Sequence, residues 1–278
     1  MPLISEALLK CARPVSFPWG EDGLAVSDQD IAAIAADFSI PGHSVEAQAL
    51  KNGIYPDRYS RNMTSISPKD QIQLLESKVA LVGLGGLGGT LLEVLLRLGV
   101  GTIYAADGDT FEASNLNRQM LSTPANLNVH KADAALERAS LINPSVTLKA
   151  HNEFLDQSTL PDFLDECDIA IDALGGLKTR LHLQQAAAYA KIPLVTGALA
   201  GWTGYVGVVQ PGNIGPADIM GHDNAAEEEL GCPCPAVTVI ASLMATEIVK
   251  VLTQNSNTLE GKMLLVDLAS STFETIVL

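Results

Sequence analysis

The hydrophobic positions of this chain fall into two alternating patterns, short apolar runs and longer segments with helical spacing. Val79–Val82 and Thr102–Ala106 are short apolar runs of the kind that form strands buried on both faces. Between them, Thr90–Leu98 carries apolar residues at helical density. Strands and helices continue to alternate as far as Thr196. This order predicts an α/β fold with a doubly wound, mostly parallel Rossmann-like sheet.

After Gly197 the pattern changes. Trp202–Gln210 alternates in the way of an antiparallel strand, and Cys234–Leu252 predicts a long apolar helix. Lys262–Val266 and Phe273–Leu278 are predicted to close the chain as two further strands. The C-terminal strands of the sheet are therefore expected to be antiparallel.

Residues 1–56 do not show this alternation of strands and helices. Asp28–Phe38 begins after Ser27, a good N-cap, and Ser44–Asn52 predicts a second short helix after Pro41-Gly42. Two helices around a turn are compatible with a DNA-binding motif, but this segment is acidic. We therefore expect residues 1–56 to be a small helical appendage that caps the main domain or forms a dimer contact, and residues 57–278 to be the main domain.

Composition limits the function classes. A net charge of −15 argues against a nucleic-acid groove, because phosphate backbones bind basic surfaces. No run reaches the roughly 18 uninterrupted apolar residues of a membrane span, and Met1–Phe17 lacks the core of a secretion signal. We expect a cytoplasmic protein that contacts neither DNA nor a membrane. The cysteines do not have the paired spacing of a structural zinc site, so none is expected; they are Cys11, Cys167, Cys232 and Cys234.

The segment from the first predicted strand to the end of the second contains a candidate ligand-binding motif. Gly83, Gly85 and Gly88 form G-x-G-x-x-G directly after a strand, and a helix follows. Such a turn lets the backbone approach a phosphate, and the helix N-terminus supplies free N–H groups. Asp107 ends the second strand, where it can accept hydrogen bonds from ribose hydroxyls. The pattern predicts a nucleotide site; the alternative is a glycine-rich turn that only packs tightly.

Four features together resemble the ThiF/MoeB/HesA family, the bacterial relatives of ubiquitin-activating enzymes. They are GLGGLGG, AADGD, SNLNRQ and Lys131 at the start of the next helix. RYSRN around Arg61 and the C-terminal helix and strands extend the resemblance to about four fifths of the chain. NLNRQ is its specific part, because a dinucleotide dehydrogenase has no use for it.

The resemblance implies an adenylyltransferase that uses ATP and Mg²⁺. Its substrate would be the C-terminal carboxylate of a ubiquitin-like sulfur-carrier protein, activated as an acyl-adenylate, and the enzyme would be a homodimer. Arg61 would reach into the partner's site. The implied nucleotide-binding residues are Gly83, Gly85, Gly86 and Gly88 for phosphate, Asp107 for ribose, and Asn115, Arg118 and Lys131 for phosphates, with Gln119 bracing their loop.

The chain departs from the family pattern at two places. Gly175 and Gly176 stand where the family has Asp-Asn, the aspartate being a metal ligand, so Asp109 or Asp172 would have to substitute. The loop 222–231 lacks the family's reactive cysteine, which leaves Cys232 as the nearest candidate thiol. Three alternatives therefore stay open: a nucleotide-binding module with lost or altered catalysis, an ATP-dependent dehydratase acting on a small molecule or tRNA base, and an NAD-dependent oxidoreductase.

Overall fold

The computed structural model describes residues 2–175, 177–220 and 229–278. Eight of the described strands form one sheet: β4 (Lys78–Val82), β5 (Thr102–Ala106), β6 (Thr147–His151), β7 (Ile169–Asp172), β8 (Leu194–Ala200), β9 (Thr203–Val209), β10 (Lys262–Asp267) and β11 (Thr272–Val277). Their order across the sheet is β11-β10-β9-β8-β7-β4-β5-β6.

The sheet has a parallel half and an antiparallel half. Strand β4 pairs in parallel with β5 on one side and with β7 on the other, while β6 and β8 extend the parallel part. Strand β9 runs antiparallel to β8, β10 runs antiparallel to β9, and β11 runs antiparallel to β10. The predicted mostly parallel Rossmann-like sheet with antiparallel C-terminal strands is confirmed. The carboxyl ends of β5, β4 and β7 meet at one edge, where α/β proteins bind ligands.

The described helices are α1 (Pro2–Cys11), α2 (Asp28–Phe38), α3 (Gly42–Lys51), α4 (Pro68–Glu76), α5 (Gly86–Leu98), α6 (Lys131–Ile142), α7 (Leu160–Leu164), α8 (Leu177–Ala190), α9 (Pro216–Ile219) and α10 (Cys234–Leu252). Helices α5, α6 and α10 pack on one face of the eight-stranded sheet, and α7 and α8 pack on the other. The largest core cluster joins α5 and α10 to the sheet through residues such as Leu92, Ile103 and Met244, all fully buried.

Helix α10 is, within the described residues, the one helix whose length and composition would suffice to cross a membrane. Half of its apolar window is buried inside the protein, however, because Ile240, Met244 and Ile248 pack into the main core. Its hydrophobicity is therefore explained by its place between α5 and the sheet.

The spacing of apolar residues over 126–141 predicts a helix across that whole range, whereas the family resemblance places its start at Lys131. The helix begins at Lys131, because Pro124–Asn126 forms a separate 3₁₀ turn and Thr110 bridges to His130 immediately before the helix. The bridge brings the loop after β5 back to the start of α6, which places Lys131 beside that loop.

The N-terminal region contains helices α1, α2 and α3 and also a small three-stranded sheet. Strand β1 (Arg13–Ser16) runs antiparallel to β2 (Asp22–Val26), and β2 runs parallel to β3 (Ile54–Pro56). The sequence of residues 1–56 predicted helices and no strands. These strands are short, and the outer one contains Pro14, which removes a backbone donor and weakens the sequence signal of a strand.

Polar contacts, some exposed and some buried, attach this region to the main sheet domain. Arg58 donates to the Ile142 carbonyl (2.8 Å) and pairs with Asp28 of α2 (2.5 Å). Tyr59 donates to Glu46 of α3 (3.0 Å) and accepts from Asn143 (3.3 Å). The division of the chain at residue 56 stays a prediction.

Candidate active site

The turn from β4 into α5 forms the floor of the site. Gly83 has φ of +98°, a conformation that favours glycine, and a Cβ there would lie 2.5 Å from the Ala173 carbonyl oxygen. A Cβ on Gly88 would lie 1.9 Å from the Gly83 carbonyl oxygen, so this glycine lets the helix pack against the turn. Gly85 caps α5 without a side-chain hydrogen bond. The first N–H groups of the helix thus remain available to an anion.

Asp107 at the end of β5 is oriented by two backbone donors. The Leu84 N–H donates to its Oδ2 (2.7 Å) and the Asp109 N–H donates to its Oδ1 (2.9 Å). These bonds fix the carboxylate beside the glycine turn. A carboxylate oxygen accepts more than one hydrogen bond, so Asp107 keeps capacity for the ribose hydroxyls predicted for it.

The SNLNRQ loop folds as a 3₁₀ turn followed by bends. Asn115 is buried and its Oδ1 accepts from the Glu112 N–H (3.1 Å), so its amide braces the loop; it lies outside the lining of the cleft. Arg118 lines the cleft, and its Nη1 donates to the Ser114 carbonyl (2.9 Å). Gln119 lies beneath the glycine turn, with its Nε2 3.7 Å from the position of a Cβ on Gly85.

Lys131, the first residue of α6, reaches the same cleft. Its Nζ lies 3.0 Å from Asp109 Oδ2 and 3.9 Å from Asp107 Oδ1. The lysine side chain is 8% exposed whereas that of Asp109 is 55% exposed, so the cation is held inside the cleft by a partner that stands at its mouth. Asp109 therefore has an observed partner in Lys131; its predicted role as a metal ligand stays a prediction.

These groups surround one cleft of about 380 Å³ at the carboxyl edge of the sheet. The structure brings together most of the predicted site residues, namely Gly83, Gly85, Gly86, Asp107, Asp109, Arg118, Gln119, Lys131 and Cys232. Two cations, one oriented carboxylate and a free helix N-terminus thus converge. Such a set can bind and neutralise phosphates.

Asp172, at the end of β7, is not open to the cleft. It is 1% exposed, and its Oδ2 accepts from Arg180 Nη1 (2.8 Å) and from Thr196 Oγ1 (2.7 Å). Its Oδ1 accepts from the Leu174 N–H (3.1 Å). The carboxylate is committed to a buried ion pair that holds the start of the following turn.

The described residues form no protein cage for a magnesium ion. They contain no group of three or more His, Cys, Asp or Glu side chains that could hold a metal. Asp172 is engaged by Arg180, and Asp109 is engaged by Lys131. Gly175 lines the cleft without a side chain, whereas Gly176 and most of the loop 222–231 lie outside the described residues. The described part of the cleft therefore provides cations for an anion and no ready cage for a divalent cation.

The cysteines divide into three environments. Cys167 lies in the core, where burial raises the pKa of its thiol to about 12, so it stays protonated. Cys232 is half-buried, lines the cleft and packs against the main core. Cys234 is exposed at the start of α10. Cys232 is thus the cysteine placed to meet a ligand, and its role as a thiol catalyst stays a prediction.

Arg61 is exposed on the turn before α4 and is not part of the lining of the cleft in its own chain. The side chain of its neighbour Arg58 is used internally, in the contacts with α2 and the end of α6. A function of Arg61 in the cleft therefore requires a second copy.

Two residues of the cleft are not among the predicted site residues. Arg180 ends the stretch Asp172–Arg180, where its position predicts a structural role; it is 4% exposed and donates hydrogen bonds to Asp172 and to the Gly197 carbonyl. Phe154 follows β6 and lines the cleft with a ring that is 71% exposed. Its signal in the sequence is its place just beyond the carboxyl end of a parallel strand.

Comparison with known proteins agrees with this geometry. The ThiF family model matches residues 59–278. The SAMP-activating enzyme E1 of Haloferax volcanii is 31% identical over 79% of this chain and 84% of its own length. The sulfur carrier protein ThiS adenylyltransferase of Escherichia coli is 32% identical over 80% and 90%, and the molybdopterin-synthase adenylyltransferase of Haemophilus influenzae is 31% identical over 76% and 89%.

Solved structures share the fold. Escherichia coli MccB with ATP has a TM-score of 0.71 at 20% identity and covers 90% of this chain and 79% of its own. Selenomethionine PaaA has a TM-score of 0.68 at 19% identity and covers 96% and 98%, which includes most of the N-terminal region. With the family model matching from the 3₁₀ turn before α4 to the last strand, and with relatives that are named adenylyltransferases, this chain is an adenylyltransferase that belongs to the ThiF family.

Proposed function

We propose that this protein uses ATP to adenylylate the C-terminal carboxylate of a ubiquitin-like sulfur-carrier protein. A carboxylate oxygen attacks the α-phosphorus, the bond to the bridging oxygen breaks, and pyrophosphate leaves as the acyl-adenylate forms. The names of the relatives from Escherichia coli and Haloferax volcanii support this substrate class. The observation that carries the proposal is the convergence of the glycine turn, Arg118, Lys131 and Asp107 on one cleft.

The residues of the chain supply positioning and charge. The N–H groups at the start of α5 bind phosphate oxygens, and Asp107 orients the ribose. Lys131 and Arg118 neutralise negative charge that grows on the phosphates as pyrophosphate departs, which is the main need of such a transfer. The short distance from Lys131 Nζ to Asp109 means that the lysine exchanges a carboxylate partner for a phosphate when ATP enters.

The requirement for Mg²⁺ stays a prediction. The described carboxylates do not form a cage for it. We therefore expect the ion to accompany ATP as its solution complex, and we assign it no protein ligand and no step.

We also propose that the protein is a homodimer. Arg61 is exposed and lies away from the cleft of its own chain. We expect it to enter the cleft of a second copy, where it would add a third cation beside Arg118 and Lys131. We also expect the protein to act in the cytoplasm.

One observation favours a second function. Gly175 offers no carboxylate and Asp172 is locked in its ion pair with Arg180, which is the arrangement expected of a nucleotide-binding module with altered catalysis. For the ATP-dependent dehydratase alternative, the net charge of −15 disfavours tRNA as the substrate, because phosphate backbones bind basic surfaces.

Exchange of labelled pyrophosphate into ATP separates these functions. We expect exchange that depends on a sulfur carrier with an intact C-terminus and that is absent with a carrier lacking its last residue. Arg118→Ala should lower exchange about a hundredfold, the size of losing one well-placed charge-stabilising group. Arg13→Ala, which removes an exposed arginine paired with Asp57 far from the cleft, is the matched control and should leave exchange unchanged. Tight ATP binding with no exchange under any carrier would favour the module.

A further inference from the structure

The last strand of the eight-stranded sheet is an open edge. Strand β11 stands at the end of the strand order and, within the described residues, pairs with β10 alone. Their pairing runs without a bulge from Lys262 opposite Val277 to Asp267 opposite Thr272. All six residues of β11 are exposed. Such an edge presents a row of backbone N–H and C=O groups to which another strand can bind.

The other edge strands of the two described sheets contain residues that oppose such pairing. Strand β6, at the opposite edge of the large sheet, contains Lys149 and His151. In the small sheet, β1 contains Arg13-Pro14 and β3 contains Pro56. Cations at an edge, and prolines without a backbone donor, hinder the addition of a further strand. Strand β11 reads TFETIV and has neither a cation nor a proline, so its edge is the unprotected one.

The hydrogen bonding of β11 shows which residues face this edge. The Leu278 N–H donates to the Gly261 carbonyl (3.0 Å), so the backbone groups of Leu278 point toward the β10 side. Successive residues of an antiparallel strand point their backbone groups alternately to the two sides. The N–H and C=O groups of Phe273, Thr275 and Val277 therefore point away from β10 and toward the open edge.

These three residues are complementary to themselves. Two antiparallel β11 strands can be related by a two-fold axis at Thr275, which then lies opposite its equivalent in the second copy. In that register Phe273 of each copy lies opposite Val277 of the other. Residues with outward groups thus meet, and each opposite pair exchanges both N–H···O bonds. An aromatic and a β-branched side chain opposite each other also stabilise an antiparallel pair, and Phe273 and Val277 are 55% and 78% exposed.

Charge selects this register. An axis at Glu274 would place two glutamates directly opposite each other, and like charges in that position destabilise paired strands. With the axis at Thr275, Glu274 lies opposite Ile276, a residue that is 38% exposed. An axis at Ile276 would separate Phe273 from Val277. The register centred on Thr275 therefore combines the hydrogen bonds, the apolar pair and the absence of like-charge contacts.

We propose that β11 is the surface through which this chain associates with a second copy, as an antiparallel strand pair centred on Thr275 that joins two sheets into one. The occupant is a second copy because β11 is complementary to itself. The surface includes neither the lining of the cleft nor the turn that carries Arg61, so it goes beyond the proposed function. A strand of six residues buries less area than a standard interface, and association should therefore increase with protein concentration.

Sedimentation equilibrium of the full chain tests the strand pair at its centre. Thr275→Pro removes the outward N–H group of that residue and leaves the pairing with β10 intact, because a proline is tolerated where the N–H would face solvent. We expect the mass of the associated form to fall to half. Thr275→Val keeps the N–H group and a β-branched side chain, so this matched control should associate like the wild type. Urea denaturation verifies that both variants are folded.

A charge exchange tests the register. Phe273→Lys places a cation opposite Val277 and should also reduce the mass to half. Adding Val277→Glu in the same chain creates a lysine–glutamate pair on both sides of the axis, and we expect association to return. If Phe273 acted only by adding apolar surface, the second substitution would weaken association further. Rescue is therefore specific to this register.

Thr275→Cys tests the same register covalently. Opposite residues of a hydrogen-bonded pair have Cα atoms about 5.5 Å apart, within the roughly 4.4–6.8 Å that a disulfide spans. Oxidised glutathione accepts two electrons and two protons from the two thiols, which leaves the disulfide and two molecules of glutathione. We expect a covalent dimer from Thr275→Cys and none from Glu274→Cys, whose two copies are offset along the strands. The wild type, with its own four cysteines, is the background control.

The results separate this interface from the other proposals. Equal masses for the wild type, Thr275→Pro and Thr275→Val, or no rescue of Phe273→Lys by Val277→Glu, would overturn the second-copy interface. Loss of carrier-dependent pyrophosphate exchange in Thr275→Pro at unchanged mass would assign the edge to the carrier and also overturn it. The halving of the mass is expected whether or not the Arg61 surface forms a dimer of its own. Failure of the homodimer or of the adenylylation proposal therefore stays distinguishable.

Discussion

Two aspartates end the strands on either side of β4, and the fold uses them in opposite ways. Asp107 ends β5, is held by two backbone N–H groups and faces the cleft. Asp172 ends β7 and is 1% exposed, with a buried arginine and a threonine on one oxygen. Both follow apolar strands and look alike in sequence. The difference shows that the partner within reach, and not the residue type, decides whether a carboxylate is available to a ligand.

Glu46 extends the comparison to a third environment. It is fully buried between α3 and the main domain, accepts from Tyr59 on one oxygen, and has no hydrogen-bond partner on Oε1 among the described residues. Burial raises its pKa from 4.5 to about 7, against the lowering effect of the Tyr59 hydrogen bond. The chain thus contains one carboxylate that backbone N–H groups hold, one that an arginine holds in an ion pair, and one that accepts a hydrogen bond from a tyrosine hydroxyl.

The largest expected effect comes from breaking the Asp172 ion pair. Asp172→Ala should lower the free energy of unfolding by about 3 kcal/mol or more, because it removes the carboxylate that pairs with buried Arg180. Urea denaturation measures this. The control is Glu166→Ala, which breaks an exposed pair with Lys78 and should cost less than about 1 kcal/mol. Equal, small losses in both variants would mean that Asp172 is not a structural acid.

Asp107→Ala should act on binding. We expect ATP affinity to fall about fiftyfold, since hydrogen bonds to a charged group contribute roughly 1.5–3 kcal/mol. The urea midpoint should move much less than in Asp172→Ala. Calorimetric titration with ATP measures the effect, and a protein that binds ATP normally without this carboxylate would remove Asp107 from the site.

Glu46 should make stability depend on pH. Its folded pKa lies above the value of an unfolded chain, so the folded protein binds the extra proton between about pH 4.5 and pH 7. Its contribution is present in full below pH 4.5 and is lost as the pH rises through 7, a change on the order of 3 kcal/mol. Glu46→Gln should remove this part of the slope. Glu76→Gln, at a half-exposed glutamate, should retain it, and identical profiles for wild type and Glu46→Gln would contradict the assignment.

The smallest effect is expected at Gly175, where a carboxylate can be restored beside the locked Asp172. Gly175 lines the cleft and is exposed, so Gly175→Asp can face the phosphates. We expect pyrophosphate exchange to rise about tenfold at saturating Mg²⁺ and to become more steeply Mg²⁺-dependent, as for an added metal-binding oxygen. Ser256→Asp, which adds a carboxylate at an exposed position outside the lining of the cleft, is the control. No gain would show that the missing acid does not limit turnover.

Much of the fold could be predicted from the sequence, because the residues that define each of these helices and strands lie close together in the chain. Helices α2 and α10 and strand β5 match their predicted bounds, since capping residues and apolar runs define them within a few positions. Apolar spacing alone puts the start of α6 too early, because the bridge between Thr110 and His130 joins residues twenty positions apart. The N-terminal sheet has a weak local signal for a related reason: β2 pairs with β3, and two helices separate these strands in sequence.

By itself the sequence determined the glycine turn, the order of strands and helices, the family, and most of the predicted residues that line the cleft. Each of these rests on spacing within a short stretch of chain. Only the tertiary structure decided that Asp172 is locked and that Arg61 faces away. It also placed the Phe154 ring against Gly108 beside Asp107. These facts depend on partners eight to 46 residues away in sequence, and such distances are settled by how helices and strands pack and not by any local pattern.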